Sequence, residues 1–199
     1  MPRPLPVSDS EQAAIVRALL DQIEIVGGDV PPPPAPGEAA KPRIDDRPVV
    51  LSRDTPAACR FREDLLPRRD AGCATPPLAT SIVSLYRDDG FMPLKLRREL
   101  VLANQTPSQN PDPRDPGIVY RREATSGQRK ESSLWPLRDY PNAKAWLMVA
   151  RAVRTADGTG ALIYAQIECG LQCSQGQLYQ LQRRGDGWIV VATQVLFVS

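Results

Sequence analysis

The sequence predicts an α+β fold in which a C-terminal four-stranded antiparallel β-meander is packed by one or two helices. Short β-rich runs separated by turn residues follow one another from residue 145 to residue 198. Two amphipathic helical patterns precede these runs. The chain also has 21 prolines among 199 residues, mostly before residue 142, so the N-terminal half is predicted to be proline-rich and irregular.

The first helix is predicted over residues 9–25. Ser8 and Glu11 have the spacing of a capping box, and Gly27-Gly28 ends the helical pattern. Between them, apolar side chains recur at helical intervals: Ile15, Val16, Leu19, Leu20, Ile23 and Val26. Because most such stripes are buried in a protein's own core, we expect this helix to pack on the sheet rather than bind a partner.

Three segments are predicted from the distribution of prolines and hydrophobic runs. Residues 1–29 hold the N-terminal helix, residues 30–45 form a proline-rich linker, and residues 46–199 form a single α+β domain. The linker contains Pro31-Pro32-Pro33-Pro34, which favours an extended polyproline II conformation. A polyproline ligand for another protein is the alternative interpretation of this tract.

Two further elements are predicted before the meander. Pro48–Ser52 forms a short apolar run typical of a strand. A second helix is predicted over residues 94–103, because Pro93 suits the first turn of a helix and leucines follow it.

The meander is predicted over residues 145–198. Glycines in Ala156-Asp157-Gly158 and Gly185-Asp186-Gly187 supply the positive φ angles that tight turns need. Its four strands are predicted at Trp146–Arg154, Ala161–Cys169, Gln177–Arg183 and Trp188–Val198. The last strand is apolar on both faces, so we expect the two helices to cover its second side.

Four cysteines form two local pairs, Cys59 with Cys73 and Cys169 with Cys173. An even set in local pairs predicts two structural disulfides with this connectivity. A four-cysteine zinc site is the alternative, but such sites usually have shorter and better-defined spacings. A redox-active pair is a further alternative, although neither pair has the C-x-x-C spacing.

The cysteine pairs predict a periplasmic or secreted protein, with an export signal that is absent from the numbered chain. The N-terminus has no apolar stretch typical of a signal peptide, so a cytoplasmic location is the alternative. No apolar run approaches the roughly 20 residues of a transmembrane span, so no membrane-spanning segment is predicted.

The composition excludes several kinds of chemistry. The sequence has no histidine, so it cannot form a Ser-His-Asp triad, a Cys-His pair or an H-E-x-x-H zinc site. The formal net charge of only +2 favours no nucleic-acid partner. We therefore predict no cofactor, no metal and no catalytic residue. A pair of carboxylates could still converge from the following acids: Glu63, Asp64, Asp88, Asp89, Asp139 and Glu168.

Four short segments in the C-terminal part of the chain form a pattern: Ala161–Tyr164, Cys169–Gly176, Gly187-Trp188 and Phe197-Val198-Ser199. They comprise a Cys-Gly-x-x-Cys-x-x-Gly motif, a Gly-Trp step and an aromatic-x-Ser terminus. In this pattern, roughly residues 93–199 resemble a group of uncharacterised secreted bacterial proteins. Ser174 stands where the group has glycine, and Phe197 where tryptophan is common. The resemblance implies export and a β-rich C-terminal half, and implies no activity.

The function predicted from these patterns is that of a non-enzymatic extracytoplasmic protein that binds an unknown protein partner, in the manner of an inhibitor or an immunity-type protein. The predicted binding residues are Gly170, Leu171 and Gln172, because a disulfide at the neck of this hairpin tip would lower the ordering cost of binding. The alternative for Leu171 is that it folds back onto a neighbouring loop. The alternative function is a carboxylate-dependent hydrolase of the cell envelope.

Overall fold

The computed structural model describes residues 7–20, 22–23, 47–53, 55, 93–104, 108–116, 118–121, 140, 142–170 and 173–198. The two helices in this part of the chain are α1 (Asp9–Leu20) and α2 (Leu94–Ala103). The strands are β1 (Val49–Ser52), β2 (Ile118–Arg121), β3 (Ala145–Val149), β4 (Val153–Arg154), β5 (Gly160–Gly170), β6 (Cys173–Arg184) and β7 (Gly187–Val198). The fold is therefore α+β.

All seven strands belong to one mixed sheet. Its order is β2-β1-β3-β5-β6-β7, and β4 also pairs with β5. β1 runs parallel to both β2 and β3, whereas the pairs from β3 to β7 are antiparallel. Among the described residues, β2 and β7 are thus the outer strands of the sheet.

The predicted four-stranded antiparallel meander is not confirmed. In the described residues the sheet has seven strands, and the parallel pairs made by β1 were not predicted. The predicted strand Trp146–Arg154 is two strands, β3 and β4, separated at Ala150–Ala152. The proline-rich linker at residues 30–45 lies outside the described residues.

The two faces of the sheet are covered by different helices. The buried side chains of α1 pack on one face, together with Val49, Leu51, Ala145, Leu147, Val149, Ala161, Ile163, Ala165, Ile167, Tyr179, Leu181 and Trp188. The buried side chains of α2 pack on the other face, with Ala150, Val153, Leu162, Tyr164, Leu178 and Leu196. Since side chains alternate along a strand, β5 supplies residues to both cores and is buried on both sides.

Helix α1 begins at the predicted capping box. The Glu11 amide donates to Ser8 Oγ at 3.2 Å, and the Ser8 amide donates to Glu11 Oε2 at 3.1 Å. This reciprocal pair satisfies backbone donors that a helix start leaves without intrahelical acceptors. The helix ends at Leu20, earlier than the predicted residue 25.

Three buried amide side chains surround the break between β3 and β4. We call Gln12, Asn104 and Asn110 the amide cluster; none is more than 3% exposed. Gln12 Nε2 donates to the Ala150 carbonyl and to Asn110 Oδ1, both at 3.0 Å, and the Ala152 amide donates to Gln12 Oε1 at 3.0 Å. Gln12 therefore bonds the backbone on both sides of the break.

The other two amides complete this arrangement. The Arg151 amide donates to Asn104 Oδ1 at 2.7 Å, and Asn104 Nδ2 donates to the Arg151 carbonyl at 2.9 Å. Asn110 Nδ2 donates to the Val149 carbonyl at 2.8 Å. The strand breaks without leaving these buried backbone groups unsatisfied, because side chains replace the ladder hydrogen bonds.

Neither α1 nor α2 has the length and apolar character needed to cross a membrane, and no other helix occurs in the part of the chain that the structure describes.

Candidate functional site

The outer side of β7 is an unusual surface among the described residues. We call this side of Gly187–Val198 the β7 edge. Its 12 residues include no charged side chain and no proline. Val191 is 46% exposed and Val195 is 52% exposed, which makes them two of the large hydrophobic residues that the described surface exposes. Natural proteins usually protect an exposed edge strand with charges, prolines or a short length.

Two register shifts interrupt the pairing of β7 with β6. They lie between Gly176 and Gln177 and between Gln180 and Leu181 of β6. Bulges of this kind increase strand twist and are one way to limit edge pairing. The segment between them, Ala192–Val195, keeps a regular register opposite Gln177–Gln180. The middle of the β7 edge is therefore regular backbone.

The prediction that both sides of the last strand would be covered was only partly right. Trp188 is 7% exposed and packs in the α1 core, and Leu196 packs against the α2 core. In the middle of the strand, exposed positions alternate with partly buried ones at Val191, Thr193 and Val195. This alternation places these three side chains on one face. The sequence signal for this surface, a C-terminal strand without charge, was present but was interpreted as burial.

An open pocket of about 600 Å³ lies at the turn end of the sheet. It is lined by Arg154, Ala156, Asp157, Gly158, Thr159, Arg183 and Gly185. Gly158 and Gly185 have φ angles of +72° and +56°, as the sequence predicted for these turns. The Arg183 guanidinium carbon lies 6.0 Å from the centroid of the Trp188 ring.

Charged groups of both signs lie at or near this pocket. Glu11 Oε1 lies 3.0 Å from Arg154 Nη1 and 3.9 Å from Arg183 Nη1. Hydrogen bonds from the Thr155 hydroxyl and then from the backbone and side chain of Thr159 lower the pKa of Asp157, so this carboxylate stays ionised. The carboxylate of Glu11 therefore lies beside both arginines that line the pocket.

Glu168, on β5, is one of the six acids that the sequence analysis named as possible members of a carboxylate pair. Burial raises the pKa of this carboxyl above its usual value of 4.5, and a hydrogen bond from Gln166 Nε2 at 3.1 Å partly opposes that effect. A carboxylate-pair mechanism needs a second acid. The other five candidates, Glu63, Asp64, Asp88, Asp89 and Asp139, lie outside the described residues. The hydrolase alternative thus stays a prediction.

We expect Glu168→Gln to change the pH dependence of stability. Because the pKa of Glu168 is raised in the folded state, its favourable contribution is present below the unfolded pKa and is lost as pH rises through the folded pKa. The variant should gain stability relative to the unsubstituted chain between about pH 4 and about pH 7. Urea unfolding at both pH values measures this difference, and an equal difference at the two would contradict the account.

The predicted hairpin tip falls largely outside the described residues. Leu171 and Gln172 are not among them, whereas the backbone of Gly170 pairs with Cys173. Glu168 pairs with Ser174, so the register shifts at Cys169 and does not place it directly opposite Cys173. Cys59 and Cys73 also lie outside the described residues, and both disulfides stay predictions.

The described residues contain no group of three or more cysteine, aspartate or glutamate side chains placed to hold a metal ion. No protein family model matches this chain, no curated protein matches it, and no solved structure matches it.

Proposed function

We propose that the protein is a non-enzymatic interaction protein that acts outside the cytoplasm and binds another polypeptide at the β7 edge. One observation carries the proposal: an uncharged strand of 12 residues borders the described sheet and exposes Val191 and Val195. Apolar edge strands are aggregation sites unless charges, bulges or another chain protect them, and the middle of β7, Ala192–Val195, has a regular register. Binding a partner strand removes that hazard.

Strand addition supplies both affinity and selectivity in this proposal. In an antiparallel ladder with β6, alternate residues of β7 direct their backbone N–H and C=O groups away from β6. An extended segment of a partner can bond these groups, while its side chains contact Val191, Thr193 and Val195. The partner segment would itself be apolar or neutral at these positions, because the edge offers no charge for pairing.

The extracytoplasmic location belongs to the same proposal. It is supported by the two local cysteine pairs and by the resemblance of residues 93–199 to secreted bacterial proteins. Inhibitors and immunity-type proteins are the functional classes that fit a stable scaffold presenting one binding edge. Outside the cytoplasm, a disulfide between Cys169 and Cys173 would close the β5–β6 hairpin at the end of the sheet.

Site-specific photo-crosslinking tests the proposed function. A photoreactive phenylalanine analogue at Thr193 places the probe in the middle of the β7 edge, and the same analogue at Gln182 places it on exposed β6. Illumination of cells that naturally produce the protein should yield a discrete adduct with a polypeptide from position 193. The proposal is wrong if position 193 gives no adduct, or gives the same products as position 182.

A further inference from the structure

We infer that the occupant of the β7 edge is a second copy of this chain, paired antiparallel through β7 around a two-fold axis at Thr193. This inference rests on the proposed function, since it names the polypeptide that the edge binds. Two observations carry it: the positions of the exposed valines along β7, and the absence of charged side chains from this strand.

The exposed side chains of β7 are symmetric about Thr193. In an antiparallel pair centred on this residue, Val191 lies opposite Val195 of the second copy, and Val195 lies opposite Val191 of the second copy. Thr193 faces Thr193 of the second copy. Cross-strand pairs of β-branched side chains and Thr-Thr pairs are among the favourable neighbours in sheets. The most exposed apolar groups of the strand therefore cover one another.

The charge and the register of β7 near Thr193 are both compatible with this contact. Charge does not oppose the contact, because β7 contains none. The axis also lies within Ala192–Val195, where the register with β6 is regular.

The other outer strand fits β7 less well. β2 has 4 residues and ends with Arg121, whereas β7 has 12 residues. A contact between β7 and β2 of another copy would also be head-to-tail, which produces open chains unless the rotation closes. A β7–β7 contact is isologous and closes as a dimer. The geometry thus favours a dimer whose two sheets are continuous through β7.

Sedimentation velocity of the full chain over a concentration series tests the inference. We expect a species of twice the 21.9 kDa chain mass to grow with concentration. Thr193→Lys and Thr193→Glu each place two like charges opposite one another, and each should weaken self-association about tenfold or more. An equimolar mixture of the two variants should recover the dimer, because opposite charges then face each other.

The matched control is Gln182→Lys, which adds the same charge to an exposed position on β6 and should leave the dimer unchanged. A wild-type chain that stays monomeric at every concentration overturns the inference, as does a Thr193→Lys variant that dimerises like wild type. If the wild type is monomeric while position 193 crosslinks to a different polypeptide, the inference fails and the proposed function stands. If neither association nor crosslinking occurs, both fail.

Discussion

Gln12→Leu is expected to lower the free energy of unfolding by about 3 kcal/mol. This is a large effect for a substitution between two side chains of similar size. The glutamine makes hydrogen bonds at 3.0 Å to three groups: the Ala150 carbonyl, the Ala152 amide and Asn110 Oδ1. Leucine cannot replace any of them. Each buried polar group that loses its partner costs about 1–3 kcal/mol. Local relaxation of the structure reduces the summed cost of the three lost hydrogen bonds.

Thermal unfolding is a direct measurement of this prediction. A loss of about 3 kcal/mol should lower Tm by roughly 6–12 °C in a chain of this size. Gln182→Leu is the matched control, because Gln182 lies on an exposed part of β6 and the same chemical change should shift stability by less than about 0.5 kcal/mol. Equal Tm shifts in the two variants would mean that the amide cluster does not stabilise the strand break.

Leu147→Ala is expected to destabilise the protein by about 2–5 kcal/mol. Leu147 is 0% exposed and lies at the centre of the α1 core, where its backbone pairs with Leu51 of β1 and Ile167 of β5. Truncation there removes hydrophobic contacts and leaves a cavity between three strands that cannot close fully.

Leu102→Ala makes the same chemical change on α2 at a residue that is 45% exposed. Because little surface is buried there, we expect a change within about 0.5 kcal/mol. Urea unfolding of both variants compares a buried leucine with an exposed one. A smaller loss for Leu147→Ala than for Leu102→Ala would contradict the assignment of the core to the α1 face.

Local patterns predicted the parts of the fold whose causes are local. The capping box at Ser8 and Glu11 formed at the predicted start of α1. Pro93 directly precedes α2, as its fixed φ angle suggested. In both cases the physical reason lies within a few residues of sequence: side-chain capping or a restricted φ angle.

Long-range partners could not be predicted in the same way. Nothing near Gln12 indicates that its amide bonds a backbone about 140 residues further along the chain, so the break at Ala150–Ala152 was missed. The parallel pairing of β1 depends on which strands meet in space rather than on its own four residues. The β7 edge was interpreted as buried because an apolar strand has the same composition whether a helix or another chain covers it.

Hydrogen exchange of the β7 amides in the purified protein tests the central claim most directly. In an unpaired edge strand the outward-facing amides exchange rapidly, whereas strand addition protects them. At associating concentrations we expect these amides between Gly187 and Val198 to exchange more slowly in the wild type than in Thr193→Lys, and dilution should remove the difference. Rapid exchange of the outward-facing amides in both proteins at every concentration would contradict pairing of the β7 edge with a second copy.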